Sequence, residues 1–186
     1  MTLFRETADV SVRPAVPGDE QTLADVQLAA WRHAGLLGEH VLDLVDSTAM
    51  TEQWARAITT PPAEGFRVLV ACRGAEVVGL ASVAPVPAPE GRPFDAPGGA
   101  ILALEVAPGS QQRGHGSRLL AAVVDLLRQD GADQVHTWVL DGDEARERFL
   151  GGAGLGPDGA TRDLATGTLP DGSPTTVTER RWSASI

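Results

Sequence analysis

LALEVAPGSQQRGHGSRLL, residues 102–120, is the stretch that decides the fold. It begins as an apolar strand, continues as a loop with glycines at positions 109, 114 and 116, and ends in an apolar helix. A glycine-rich loop at a helix N-terminus leaves backbone N–H groups unpaired at the positive end of the helix dipole. Glycine also lets a bulky anion approach the main chain closely. The stretch therefore predicts a phosphate-binding loop.

Two common phosphate loops fit this stretch poorly. A P-loop requires Lys directly after its second Gly, whereas here His115 follows Gly114 in a chain without any lysine. A dinucleotide fingerprint requires a third Gly, and the position that would carry it is Leu119. A nucleotide-binding protein with a degenerate P-loop and a structural turn without a ligand stay open as alternatives.

The loop does match the pattern [QR]-x-x-G-x-[GA], with Gln111-Gln-Arg-Gly-His-Gly116 between a strand and a helix. In this arrangement it resembles the acetyl-CoA loop of the GNAT family of N-acetyltransferases. The resemblance implies that a CoA thioester contacts three strand residues through their main chain, and the loop through backbone donors. The implied cofactor-binding residues are Leu104, Glu105, Val106, Gln111, Gln112, Arg113, Gly114, His115, Gly116 and Ser117. Arg113 and Arg118 either pair with phosphates or stay solvated at the helix start.

The order of elements along the chain is predicted as β-α-α-β-β-β-α-β-α-β-β. Hydrophobic periodicity and turn residues give the individual elements. Asp19 and Ser47 are the expected N-caps of the first two helices. The expected strands and helices span residues 10–13, 19–33, 47–60, 66–73, 76–84, 100–106, 117–128, 134–140, 143–150, 161–164 and 175–182, with a connecting loop at 85–99.

This order resembles the GNAT fold over nearly the whole chain, from Val10 to Trp182. We therefore expect an α/β (α+β) fold, with a central mixed sheet of six to seven strands and about four helices. One domain should span residues 1–186, with a flexible N-terminus at residues 1–9. The crossover from 100–106 to 134–140 predicts a parallel strand pair. In the family these two strands splay apart at one end, and the pantetheine arm of the cofactor fills the gap.

Composition restricts the partners. The net charge of −10 argues against nucleic acid and suits either a cationic acceptor or solubility alone. The apolar runs fall short of the ~20 residues of a membrane span, and the chain start lacks the apolar core of a signal peptide. We expect a cytoplasmic protein without membrane association, as a monomer or homodimer. Cys72 is the single cysteine, and the spacing of His, Asp and Glu indicates no metal site.

The resemblance implies transfer of an acetyl group from acetyl-CoA to a primary amine of a small molecule or peptide. An amine with a pKa near 10.4 is mostly protonated at neutral pH, so a base must remove its proton. Glu105 is the candidate general base, because it is the one charged residue of an apolar central strand. The alternative is that Glu105 pairs with an Arg and has a structural role.

The leaving-group side departs from the family. A common family ending is N-x-x-A-x-x-[FY]-Y-x-x-x-G-[FW], whose second aromatic residue is a Tyr able to protonate the thiolate. Here Asp143 takes the Asn position, Phe149 the first aromatic position and Leu150 the Tyr position, in a chain without tyrosine. A catalytically silent CoA-binding protein is therefore the alternative function.

The acceptor pocket is expected between the first two helices and the loop at 85–99. Its predicted lining is Trp31, His33 and His40. Trp54 is expected nearby. Trp31 and Trp54 both lie on apolar helix faces, so the alternative for both is packing in the core.

Overall fold

The structure, a computed structural model, describes residues 10–88, 97–168 and 172–186. Seven strands form one mixed sheet: β1 Val10–Pro14, β2 Arg67–Arg73, β3 Glu76–Val86, β4 Gly98–Val106, β5 Gln134–Leu140, β6 Gly156–Thr168 and β7 Pro174–Ser185. The helices are α1 Glu20–Ala34, α2 Glu39–Leu42, α3 Ser47–Thr59, α4 His115–Gln129 and α5 Glu144–Gly152, with a 3₁₀ turn at Pro108–Ser110.

The strand order across the sheet is β1-β2-β3-β4-β5-β7-β6. The β4–β5 pair is parallel, and the other neighbouring pairs are antiparallel. The parallel ladder is short, joining Gly98–Ile101 to Gln134–Thr137. A parallel pair needs a crossover connection, and α4 supplies it. The predicted mixed sheet, its element order and the parallel central pair are therefore confirmed.

Apolar side chains cover both faces of the sheet. On one face the helix that follows the glycine loop packs Leu119, Val123 and Leu127 against the strands. On the other face Leu23 of α1 and Trp54 of α3 pack against β2 and β3. Trp54 is thus a core residue, as its alternative interpretation stated. The two layers fix the position of the ends of β4 and α1, where the candidate site lies.

Several predicted boundaries differ from the structure. The expected loop at 85–99 is shorter, because β3 continues to Val86 and β4 begins at Gly98. The helix predicted from Ser117 begins at His115, and the strand predicted at 161–164 is part of the longer β6. A further short helix, α2, lies between the first two predicted helices, where the predicted order has no element.

Two predicted capping roles also change. Asp19 precedes α1, but its carboxylate makes no cap bond to the helix. It accepts hydrogen bonds from Arg13 and from the Val16 N–H instead. The N-cap of α3 is Asp46, which accepts from the N–H groups of Thr48 and Ala49, and Ser47 is the first helical residue. The predicted N-terminal segment 1–9, the middle of the loop (89–96) and residues 169–171, between the last two predicted strands, lie outside the described residues.

Candidate functional site

A gap opens between β4 and β5 on the carboxyl side of their ladder. The last paired residues are Ile101 and Thr137. The buried Thr137 hydroxyl donates to the Ile101 carbonyl at 3.0 Å and closes the ladder there. Beyond this point β4 runs on to Val106, paired with β3 along its other edge. Its edge toward β5 is left without a strand partner. The Leu104 and Val106 carbonyls accept from side chains instead, and the other backbone groups of this edge are available to a ligand.

The glycine loop begins where β4 ends. Gln111 donates from its side-chain amide to the Val106 carbonyl at 3.1 Å, which ties the loop to the strand. Gln112 has φ 58° and Gly114 has φ 81°, the left-handed region that aims successive N–H groups toward one point. Arg118 is the first residue of the turn whose N–H bonds back, to the Gly114 carbonyl at 3.1 Å. The preceding N–H groups at the helix start are therefore orphaned, as an anion site requires.

Guanidinium groups surround this helix start. The pKa of His115 lies below its ordinary value because the ring is buried, with Arg118, Arg73 and Arg113 as additional positive neighbours. His115 is 1% exposed, and its Nδ1 has no hydrogen-bond partner. A neutral His115 packed inward contributes backbone and shape to the loop. Arg113 and Arg118 thus place positive side chains beside the loop in a chain whose net charge is −10.

One cleft of about 620 Å³ joins the loop to the open edge of β4. Its walls come from the end of α1, the end of β4, the loop and the start of α5. The lining residues are Ala30, His33, Ala34, Leu36, Leu104, Glu105, Val106, Ser110, Gln111, Gln112, Gly114, Gly116, Ser117, Gly142, Asp143, Glu144, Ala145, Arg146 and Phe149. The volume falls within the usual range of small-molecule sites.

Of the ten predicted cofactor-binding residues, eight line this cleft. The two exceptions are Arg113, which is exposed beside it, and the inward-facing His115. Among the predicted acceptor-pocket residues, His33 lines the cleft. Trp31 and His40 do not, since Trp31 turns its indole to Glu105 and His40 lies on the exposed surface of α2.

An ion-pair cluster occupies the floor of the cleft. Arg146 of α5 donates to both carboxylate oxygens of Glu105 at 2.8 Å and to the Leu104 carbonyl at 3.0 Å. Its Nε donates to Asp143 at 3.4 Å, and Asp143 also caps α5 by accepting from the Arg146 N–H at 3.0 Å. The pairing of Glu105 with an Arg, which the sequence left open, is present. The carboxyl groups of Glu105 and Asp143 therefore share one guanidinium.

Burial sets the protonation of Glu105. Its side chain is 11% exposed, and desolvation raises the pKa of the carboxyl above its ordinary value. Arg146 and a hydrogen bond from Trp31 act in the opposite direction, while the Asp143 charge adds to the increase. A raised pKa brings a carboxylate closer to the range in which a general base works at neutral pH.

The position expected to carry a tyrosine does not face the cleft. Leu150 is 1% exposed and belongs to the hydrophobic core beneath α4. Phe149 faces the cleft instead, next to Gly116. Arg146 was not among the predicted site residues, although a signal was present: it occupies the small-residue position of the family ending, where a long cation is out of place.

Within residues 10–88, 97–168 and 172–186, no group of three or more His, Cys, Asp or Glu is arranged to hold a metal ion. Among the helices in that part of the chain, none has both the length and the apolar character needed to cross a membrane.

The chain is similar to a family of known proteins and to several solved structures. A family model described as "Acetyltransferase (GNAT) family" matches residues 30–154. A ribosomal-protein-alanine N-acetyltransferase from Brucella melitensis is 21% identical, with 95% of this chain and 99% of that chain covered and a TM-score of 0.67.

Two similar structures contain the cofactor. The paia N-acetyltransferase from Thermoplasma acidophilum, solved with coenzyme A, is 14% identical, covers 95% and 99% of the two chains, and has a TM-score of 0.68. The yncA protein from Salmonella typhimurium, solved with acetyl-CoA, is 19% identical, covers 95% and 94%, and has a TM-score of 0.62. The search of curated proteins gives no match.

Proposed function

Because the chain belongs to the GNAT acetyltransferase family, we propose that it moves an acetyl group from acetyl-CoA to a primary amine of a small molecule or peptide, directly in a ternary complex. The observation that carries the proposal is one cleft in which an anion-binding loop, an open strand edge and a buried carboxylate meet. Similar structures solved with coenzyme A or acetyl-CoA support the choice of cosubstrate.

The loop would hold the cosubstrate by its phosphates. Each backbone N–H donated to a charged group contributes about 1.5–3 kcal/mol, and the α4 dipole adds about 0.3–1 kcal/mol. The residues proposed for this contact are Gln112, Gly114, Gly116 and Ser117, with Arg113 and Arg118 nearby for direct pairing. The open edge formed by Leu104 and Val106 would then direct the thioester arm toward Glu105.

Transfer is a single displacement at the thioester carbonyl. The amine nitrogen attacks the carbonyl carbon, the C–N bond forms, and the C–S bond breaks with its electron pair on sulfur. The nitrogen's proton passes to Glu105, directly or through one water. The CoA thiolate takes its proton from solvent, which is feasible because thiols have a pKa near 8.5 and the described cleft offers no phenol.

The decisive experiment incubates the purified protein with acetyl-CoA and a panel of primary amines. Mass spectrometry should show one acetyl group gained by an amine, with one free thiol released per transfer. Tight CoA binding without transfer to any amine would favour the alternative, a catalytically silent CoA-binding protein. The specific observation behind that alternative is Leu150 in the core at the usual tyrosine position.

The role of Glu105 has its own test. We expect Glu105→Gln to lower kcat/KM by about 10²–10⁴-fold and to remove the acidic limb of the pH–rate profile. CoA affinity should barely change, since β4 would contact the arm through its backbone. Glu52→Gln on α3 is the control, because Glu52 is exposed and pairs with Arg56. Full activity with an intact acidic limb in Glu105→Gln would exclude the base role.

A further inference from the structure

Arg146 reaches from α5 to the end of β4. Arg146 belongs to α5, which follows β5 in the chain. Its guanidinium nevertheless donates to two groups of β4, the Leu104 carbonyl at 3.0 Å and the Glu105 carboxylate at 2.8 Å. The contact lies just beyond the point where the β4–β5 ladder ends at Ile101 and Thr137. Arg146 therefore reaches the stretch of β4 that has no strand partner on that side.

Every nitrogen of this guanidinium is engaged. Nε donates to Asp143, Nη1 to Leu104, and Nη2 to both oxygens of Glu105. The Arg146 side chain is 23% exposed, whereas Arg148 on the same helix is 72% exposed and pairs with Glu144 at 3.2 Å. Exposed ion pairs such as Arg148–Glu144 contribute little to stability. The Arg146–Glu105 pair is held in a more defined geometry, because every nitrogen of its guanidinium is hydrogen-bonded.

The contacts leave acceptor capacity on Glu105. A carboxylate has about four lone-pair sites, and Arg146 Nη2 uses one on each oxygen. The sites that Arg146 leaves free are those that could accept a proton from a bound amine. The charged and titratable groups around them are Arg146 and Asp143 from α5, with Glu144 of α5 and His33 of α1 along the same cleft.

We propose that Arg146 is a positioning residue for acetyl transfer, which holds the Glu105 carboxylate at the unpaired end of β4 and keeps it ionised so that its free acceptor sites face the acceptor amine. The inference rests on the proposed function and on Glu105 as the base. Asp143 acts one step further out, since it fixes both the helix start and the Nε of Arg146.

The test is the pH dependence of kcat/KM in Arg146→Gln. Loss of an opposite charge within about 4–6 Å raises a carboxyl pKa by about 1–3 units, so the acidic limb should move up by about that much. Arg146→Lys keeps the positive charge, so its acidic limb should lie closer to the wild-type position than that of Arg146→Gln. Arg148→Gln is the matched control on the same helix and should leave the limb where it is. In a Glu105→Gln background, adding Arg146→Gln should change kcat/KM much less than in the wild type.

A second measurement does not depend on turnover. The Glu105 carboxyl carbon can be followed by ¹³C NMR titration in the wild-type protein and in Arg146→Gln, with the equally uncharged Arg146→Met as the replacement if Arg146→Gln fails to fold. We expect a higher titration midpoint in the variant. An unchanged midpoint, or an unchanged acidic limb in a folded and active Arg146→Gln, overturns the inference. Absence of transfer by the wild type to any amine rejects the proposed function instead.

Discussion

Gly116→Val tests whether the glycine loop binds the cosubstrate. A Cβ at position 116 would lie 3.4 Å and 3.5 Å from the Phe149 ring and 3.8 Å from the Val106 side chain, which are ordinary contacts. The two further methyl groups of Val would extend into the cleft between the loop and Phe149. If they displace phosphate oxygens from two backbone donors of about 1.5–3 kcal/mol each, CoA binding weakens by about 3–6 kcal/mol, or about 10²–10⁴-fold in Kd.

Folding should survive this change. Position 116 lies in the first turn of α4 without positive φ, so Val is sterically allowed and the free energy of unfolding should change by less than about 1 kcal/mol. The control is Gly109→Val, because Gly109 is exposed with open space around its Cβ position and lies outside the cleft. Calorimetry with CoA, together with urea unfolding, measures both effects. Near-wild-type affinity in a folded Gly116→Val would show that the loop is only structural.

Three further outcomes follow from the loop, the core and the buried histidine. Acetyl-CoA at a hundredfold excess over Kd should stabilise the protein by about 2.7 kcal/mol and raise Tm, whereas an equal rise with ATP would contradict the absence of a P-loop lysine. Leu150→Tyr should destabilise by about 1–3 kcal/mol through overpacking without faster transfer, because Leu150 faces the core; a faster enzyme of unchanged stability would contradict this placement. Burial and the neighbouring guanidiniums lower the pKa of His115 from its ordinary 6.5, so the unfolded chain takes up that proton first and stability falls as pH drops below about 6.5. In urea unfolding between about pH 5 and 7, His115→Leu should reduce this slope but not abolish it, since burial also lowers the pKa of His136; an undiminished slope would count against the account.

Most of the fold could be predicted from local sequence patterns. The glycine loop, the hydrophobic periods and the turn residues are properties of neighbouring positions, so the element order and the parallel central pair followed from them. The first residues of strands and helices were harder to predict where they include or follow glycine. Gly98 and Gly99 carry no strand signal, although both belong to β4 and pair with residues of β5. The apolar period of α4 begins after Ser117, while the helix itself begins directly after Gly114 in its left-handed conformation.

The site was harder to predict because its contacts are distant in sequence. Glu105 stood out as a lone charge in an apolar strand, but its partner Arg146 lies 41 residues away. Only the path of α5 beside the gap brings the two together. Trp31 shows the same limit at shorter range. Its helical spacing fits an apolar face, yet its position at the end of α1 turns it toward Glu105 rather than into the cleft.

The short β4–β5 ladder has a mechanical consequence. Four residue pairs join the half-sheet of β1 to β4 to the half-sheet of β5, β7 and β6. Apolar packing beneath the seam, where Val135 and Val139 of β5 meet the α4 core, must supply much of the remaining cohesion. Backbone amides along the open edge of β4 should therefore exchange with deuterium sooner than those inside β2 and β3. A molecule bound in the gap would contact both half-sheets, which should slow that exchange and make the whole sheet more rigid.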